Sequence, residues 1–297
     1  MGHSHETHQV SASKLVFTII LNGIITAAQI VGGVISGSLA LISDAVHNLS
    51  DMVSVILAYV AQSLSRKPST GKSTFGYKRA EILAAFINAL ALIGISVFLV
   101  FEAVDRFTNL PEVDANWMFW LGLLGLVANG ISVLILEKEK NKSINIKAAY
   151  LHLLGDALTS LAVILGAVLI RLFEIYWIDP IVTMLISTYL FVHTIKLLKE
   201  SVTILMQMAP SDLDIGKIGA RLMELQELKN IHHIHLWNLT DKLVHFECHI
   251  ALKEDIKVSE TNRLFKLVRK ILHDEFDIEH VTIQFEYAPG HCKNCDF

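Results

Sequence analysis

The sequence predicts a polytopic α-helical membrane domain of six helices followed by a small cytoplasmic α+β domain. Three observations carry this reading. The chain is 53% hydrophobic and only 18% charged, against ~45–50% and ~25% in a typical soluble domain. Its mean hydropathy is +0.49, and the apolar residues are concentrated before residue 205. After residue 212 the pattern changes to the short amphipathic periods of a soluble domain.

Residues 1–13 form a polar cytoplasmic tail with His3, His5 and His8. They are read equally as a loose metal-collecting cluster and as a disordered tail. No basic n-region precedes the apolar run at 15–35, and no small-residue cleavage site follows it, so this run reads as a retained membrane helix and not a secretory leader. A helix needs ~20 apolar residues to cross a ~30 Å hydrocarbon core. Six segments between 14 and 205 meet that requirement: 14–36, 39–63, 80–104, 116–137, 147–171 and 178–199. Gly37 and Ser38 alone separate the first two, which predicts a tight helical hairpin.

Arg66, Lys67, Lys72, Lys78 and Arg79 follow the second segment, and Lys138, Lys140, Lys142 and Lys147 follow the fourth. The stretch 105–116 holds only Arg106, and 171–178 only Arg171. Short cytoplasmic loops are the Lys/Arg-rich ones. Both basic loops are therefore placed in the cytoplasm, and an even number of spans puts both termini there too. Cys248, Cys292 and Cys295 are odd in number and late in the chain, which suits a reducing compartment better than a disulfide framework. A net charge of -4 leaves no basic footprint for nucleic acid.

In 206–288, helices are expected over 213–227 and 259–275, and strands over 231–239, 243–252 and 279–287. The order α-β-β-α-β is a small α+β sandwich. Alternation along the second strand puts His245 and His249 on one face, with Phe246, Cys248 and Ile250 on the other, so Cys248 reads as core. The tail 289–297 contains His291, Cys292 and Cys295. Its Cys-x-x-Cys spacing suits zinc, with a redox pair or a loose tail as the alternative.

Charged groups at the centre of a membrane helix cost at least ~2.5–3.5 kcal/mol each, so they mark function by default. The second helix reads Ser43-Asp44-Ala45-Val46-His47-Asn48-Leu49-Ser50-Asp51, and the fifth carries His152 and Asp156. In each, a His and an Asp are four residues apart and share a helix face. At 1.5 Å per residue, Asp51 lies roughly 18 Å from the outer surface and Asp156 roughly 15 Å from the inner one, which is the same mid-depth. His47, Asp51, His152 and Asp156 then form one N2O2 shell. That shell suits tetrahedral Zn2+, with Cd2+, Co2+ or Ni2+ as competitors, over the all-oxygen cages of Mg2+ and Ca2+. The same atoms bind protons, so metal and proton compete for one site. Asp44 is assigned to an access route, a proton relay or pairing with a polar group. Asn22, Gln29, Asn88 and Asn129 are assigned to interhelical hydrogen bonds, and His193 to packing. An intramembrane protease is disfavoured: no His-Glu-x-x-His occurs, and four protein ligands leave no position for water.

The stretch from Ser38 through Asp51, the run Thr74-Phe75-Gly76-Tyr77-Lys78-Arg79-Ala80-Glu81, residues 148–160 and His232-His233-Ile234-His235-Leu236-Trp237 together resemble the cation diffusion facilitators, in their zinc-transporting (cobalt/zinc/cadmium efflux) branch. The resemblance spans about residues 13–288. It implies a homodimeric Zn2+/H+ antiporter working by alternating access, with Cd2+ and Co2+ as further cargo and a metallochaperone-like cytoplasmic domain that binds metal. It implies transport ligation by His47, Asp51, His152 and Asp156, with His at position 47 as the zinc-preferring pattern. His232, His249 and Glu286 fall on cytoplasmic metal positions, and Arg79 with Asp212 on a domain-coupling pair. A bacterial inner membrane is the implied location. The family's additional loop site is not expected, because 66–78 contains neither Asp nor His.

Overall fold

The computed structural model describes residues 12–137 and 144–287, with side chains from residue 22 in the first stretch and residue 150 in the second. Helices α1 (Ala12–Ser36), α2 (Leu39–Ser65), α3 (Ala80–Arg106), α4 (Ala115–Glu137), α5 (Ile144–Phe173) and α6 (Ile178–Leu205) follow in order. Then come α7 (Ile215–Leu222), β1 (Leu228–Asn238), β2 (Val244–Leu252), α8 (Val258–Phe276) and β3 (His280–Tyr287). The expected order is therefore observed. Five of the helices, α2 to α6, are long and apolar enough among the described residues to cross a membrane; in α1 the described apolar stretch is the shorter Asn22–Ser36.

The long helices persist because nothing interrupts them. Pro68, Pro111 and Pro210 lie between helices, and Pro180 sits in the first turn of α6, where a missing N–H is harmless. Gly37 ends α1 in the left-handed conformation (φ 71°). That conformation favours glycine, and a Cβ there would also make a tight 3.3 Å contact with the Glu112 carbonyl.

The chain divides into two compact units, Met1–Leu57 with Ile87–Lys196, and Ala58–Phe86 with Leu197–Phe297. In the first, α4 packs on α5 and α1. Gly122 and Gly125 permit this approach: a Cβ at Gly125 would sit 2.5 Å from Gln29 Nε2, and one at Gly122 3.1 Å from Ile164. Leu41, Met118, Val163, Ala167 and Ile186 fill the interior.

In the second unit, a three-stranded sheet of order β1-β2-β3 pairs β1 with β2 antiparallel and β2 with β3 parallel. Phe246, Cys248 and Ile250 are buried with Ile218, Leu222, Leu264, Val268 and Leu272 from α7 and α8. Burial pushes the Cys248 thiol up to about 12, so it is an inert core residue. The first helix here is shorter than the expected 213–227. Asp214 caps it, accepting from Gly216 N at 2.8 Å and Lys217 N at 3.3 Å. It stops at Leu222 because the chain then turns to bring Leu225 and Leu228 onto the core.

Trp237, His245 and His280 are cross-strand neighbours. The His245 ring lies 5.3 Å from Trp237 and 4.2 Å from His280, and Phe75 meets it edge-on at 5.6 Å. Burial, then the nearby His280, Lys78 and Arg79, hold the His245 imidazole below its ordinary value. The unfolded chain therefore takes up this proton first, and stability falls as pH drops below about 6.5. Thermal unfolding followed across that range should show a shallower acid slope in His245→Phe than in the wild type. Equal slopes would remove His245 as the cause.

Candidate metal centre

α2 delivers His47 and Asp51 to one point, and α5 delivers His152 and Asp156 to the same point. His47 Nε2 lies 2.9 Å from Asp156 Oδ1 and 3.7 Å from Asp51 Oδ2. His152 Nε2 lies 3.4 Å from Asp51 Oδ2 and 3.8 Å from Asp156 Oδ2. Each carboxylate thus stands between both imidazoles. His47, Asp51 and Asp156 each offer one ligand atom within 4.8 Å of the others. His152 joins through the two carboxylates, its ring 6.0 Å from that of His47. Adjacent ligand atoms of tetrahedral zinc with ~2.0–2.1 Å bonds are about 3.3 Å apart, so these separations need only small side-chain adjustments. Side-chain exposure is 9% at His47 and 6% at Asp156 but 33% at Asp51 and 45% at His152, so the cluster opens on the His152–Asp51 side.

Asp44 does not line that opening. It is fully buried and accepts hydrogen bonds from Thr159 Oγ1 at 2.8 Å, Ser160 Oγ at 3.0 Å and Gln29 Nε2 at 3.3 Å. Of the three roles expected for Asp44, the observed contacts are those of polar pairing: it ties α1, α2 and α5 together one turn before His47. Gln29 Oε1 also accepts from Asn48, and Asn88 donates to Ser54 Oγ at 2.7 Å and Ser50 Oγ at 3.4 Å. These are the interhelical bonds expected of intramembrane amides. His193 stacks on Tyr189.

A second cluster occupies the sheet. Glu286 bridges two imidazoles, with Oε1 2.9 Å from His249 Nδ1 and Oε2 3.4 Å from His232 Nε2. His232 Nδ1 is buried without a hydrogen-bond partner among the described residues. Two imidazole nitrogens and one carboxylate, one ligand atom from each residue, fit a bound divalent metal. Strand alternation sends His233 to the opposite face from His232. A register shift between His232 and His235, with His233 at φ 53°, instead sets its ring 4.8 Å from His249 and its Nε2 3.2 Å from His235 Nε2. His233 was thus not foreseen here, and the run of adjacent histidines was its only signal. His291, Cys292 and Cys295, like His3, His5 and His8, lie outside the described residues.

The expected Arg79–Asp212 pair is not formed. Arg79 Nη2 donates to the Asn238 carbonyl at 3.5 Å. Asp212 is exposed in the turn before α7, and among the described residues it makes no ion pair.

Sequence comparison extends these observations. The cation efflux transmembrane domain matches residues 15–206, and the cytoplasmic domain of cation efflux proteins matches residues 210–288. The metal cation efflux system protein CzcD of Cupriavidus metallidurans is 37% identical over 295 residues, covering 99% of this chain and 92% of that protein. The zinc transporter ZitB of Escherichia coli is 36% identical over 300 residues, covering 99% and 95%. The cadmium, cobalt and zinc/H(+)-K(+) antiporter of Bacillus subtilis is 36% identical over 290 residues, covering 96% and 92%. With both of its regions matched and full-length relatives at this identity, the chain belongs to the cation efflux family, and its work is membrane transport of divalent metal cations, not catalysis.

Proposed function

We propose that the protein is a Zn2+/H+ antiporter of six spans that works by alternating access, with Cd2+ and Co2+ as further substrates, and that His47, Asp51, His152 and Asp156 ligate the cargo. The observation that carries this reading is the alternating His–Asp–His–Asp arrangement across α2 and α5. Without metal, each imidazole rests against a carboxylate, a contact that holds best with a proton on the ring. Metal binding requires neutral His and ionised Asp, so every ion that enters displaces protons, and protons arriving from the far side displace the ion. Two carboxylates balance the charge of a divalent ion, which lets it rest in a medium where an uncompensated charge is costly. The names of ZitB and of the Bacillus antiporter support zinc as cargo and protons as counter-ion.

In the same reading the protein is a homodimer in a bacterial inner membrane, with both termini cytoplasmic. The positive loops support the orientation, and the matched cytoplasmic domain supports the dimer. The experiment is zinc flux in proteoliposomes under an imposed pH gradient. Flux that follows the gradient supports antiport, whereas zinc binding without flux rejects it.

The cytoplasmic cluster is proposed as a resident metal site, held by His232, His249 and Glu286, with His291, Cys292 and Cys295 of the tail as further candidate ligands in this part of the chain. Bound metal there would cross-link β1, β2 and β3. Calorimetric zinc titration of the full chain should resolve two classes of site. Glu286→Gln should weaken one of them by roughly 10–100-fold and spare the other. An unchanged isotherm would discount this cluster.

A further inference from the structure

The loop between α2 and α3 carries charges that metal transport leaves unused. Arg66 and Lys67 follow the end of α2 directly, and Lys78 lies just before α3. The loop is folded back on itself: Thr70 and Ser73 exchange backbone hydrogen bonds of 3.0 Å, and Ser73 Oγ donates to the Gly76 carbonyl at 2.8 Å. Gly76 turns the chain at φ 68°. The fold brings both ends of the loop to one cleft of about 460 Å³, floored by the rings of His245 and His280.

The chemistry of this cleft is one-sided. Arg66, Lys67 and Lys78 line it, and among the described residues none of their side chains is paired with an acid. Glu279 is the one carboxylate on its wall, and Ser69 and Thr74 add hydroxyl donors. Its volume lies within the ~300–1,000 Å³ of ordinary ligand pockets. A metal ion is disfavoured, because three cations line the cleft with the imidazoles and, among the described residues, no third ligand joins His245 and His280. Guanidinium, ammonium, imidazole and hydroxyl groups converging on one space are instead the donors of oxyanion recognition. They stand at the ends of α2 and α3, two helices long and apolar enough to cross a membrane, and clustered cations beside such ends attract anionic headgroups.

We infer that this cleft binds a phosphate-class anion, supplied either by a lipid headgroup of the adjoining bilayer or by soluble phosphate. Occupancy neutralises the loop's charges and fastens the loop to the sheet beneath it. The test uses delipidated full-length protein at constant ionic strength, titrated with inorganic phosphate in one arm and with phosphatidylglycerol or phosphatidylcholine micelles in the other. Melting temperature and retained lipid by native mass spectrometry are the readouts.

Stabilisation by phosphatidylglycerol alone assigns the headgroup, and stabilisation by inorganic phosphate assigns the free anion. Each cation near an anionic surface is worth about fivefold in affinity. The R66Q/K67Q/K78Q variant should therefore bind at least ~10-fold more weakly, and Glu279→Gln about fivefold more tightly. Changes of opposite sign cannot both come from misfolding. The proposal is overturned if neither anion acts beyond chloride and phosphatidylcholine, or if the triple variant binds like the wild type.

Discussion

Asp156→Asn protein, reconstituted in proteoliposomes, is expected to lose zinc transport by at least roughly 100-fold while remaining folded. Losing a second-shell group around a metal already costs 10–100-fold, and Asp156 is proposed as a direct ligand. Asparagine keeps the shape and most of the packing. What it removes is the charge that Asp156 sets 2.9 Å from His47 Nε2. A site of two imidazoles and one carboxylate then carries a divalent ion with a net positive charge in a buried position, which low-dielectric surroundings penalise strongly. In the proposed mechanism the proton side of the exchange goes with it, because Asp156 is one of the two carboxylates beside the imidazoles. Retained zinc binding at the cytoplasmic cluster would show that the chain still folds. Wild-type flux in this variant would exclude Asp156 from the transport site.

The second large effect is expected at Asp179, which belongs to no ligand set. Asp179→Ala should lower the melting temperature of the detergent-solubilised protein on the order of 10 °C, the equivalent of roughly 3–5 kcal/mol. This carboxylate is fully buried at the start of α6. It accepts from Ser38 Oγ at 2.5 Å, Leu39 N at 2.9 Å and Ala40 N at 3.2 Å, and it faces Arg106 Nη1 at 3.5 Å. It therefore acts as the N-cap of α2 from 140 residues away in sequence. Arg106 in turn donates to the Gly37 carbonyl in the α1–α2 turn. Removing the carboxylate orphans two helix N–H groups and leaves Glu102, 3.6 Å from Arg106 Nε, as the acidic partner that remains to the guanidinium. Asp179→Asn keeps a hydrogen-bond acceptor and should fall between the two. An alanine variant that melts with the wild type would refute the clamp.

Both predictions bear on how much of this protein could be read in advance. Two His–Asp pairs at four-residue spacing needed only helical periodicity and a depth count to suggest one cluster on α2 and α5. Asp44 sits on the same face of α2 as His47, and periodicity alone leaves an access route, a proton relay and polar pairing all open to it. Gln29, Thr159 and Ser160 enclose it, and they come from two other helices. His233 escaped for a different reason: alternation holds only in a regular ladder, and a register shift re-aimed the ring.

Local sequence determined what depends on neighbours along the chain: the length of the apolar helices, the glycine turn at Gly37, the α-β-β-α-β order and the spacing of ligands within one helix. These follow from periods of 3.6 and 2 and from the cost of polar groups in hydrocarbon. Tertiary structure alone decided which distant groups satisfy each other. Asp179 found the start of α2, Arg79 found the Asn238 carbonyl in place of Asp212, and Arg66 and Lys78 came to line one cleft with His245 and His280. Buried donors and acceptors must be paired, but no period in the sequence specifies the partner, because that choice is made by packing.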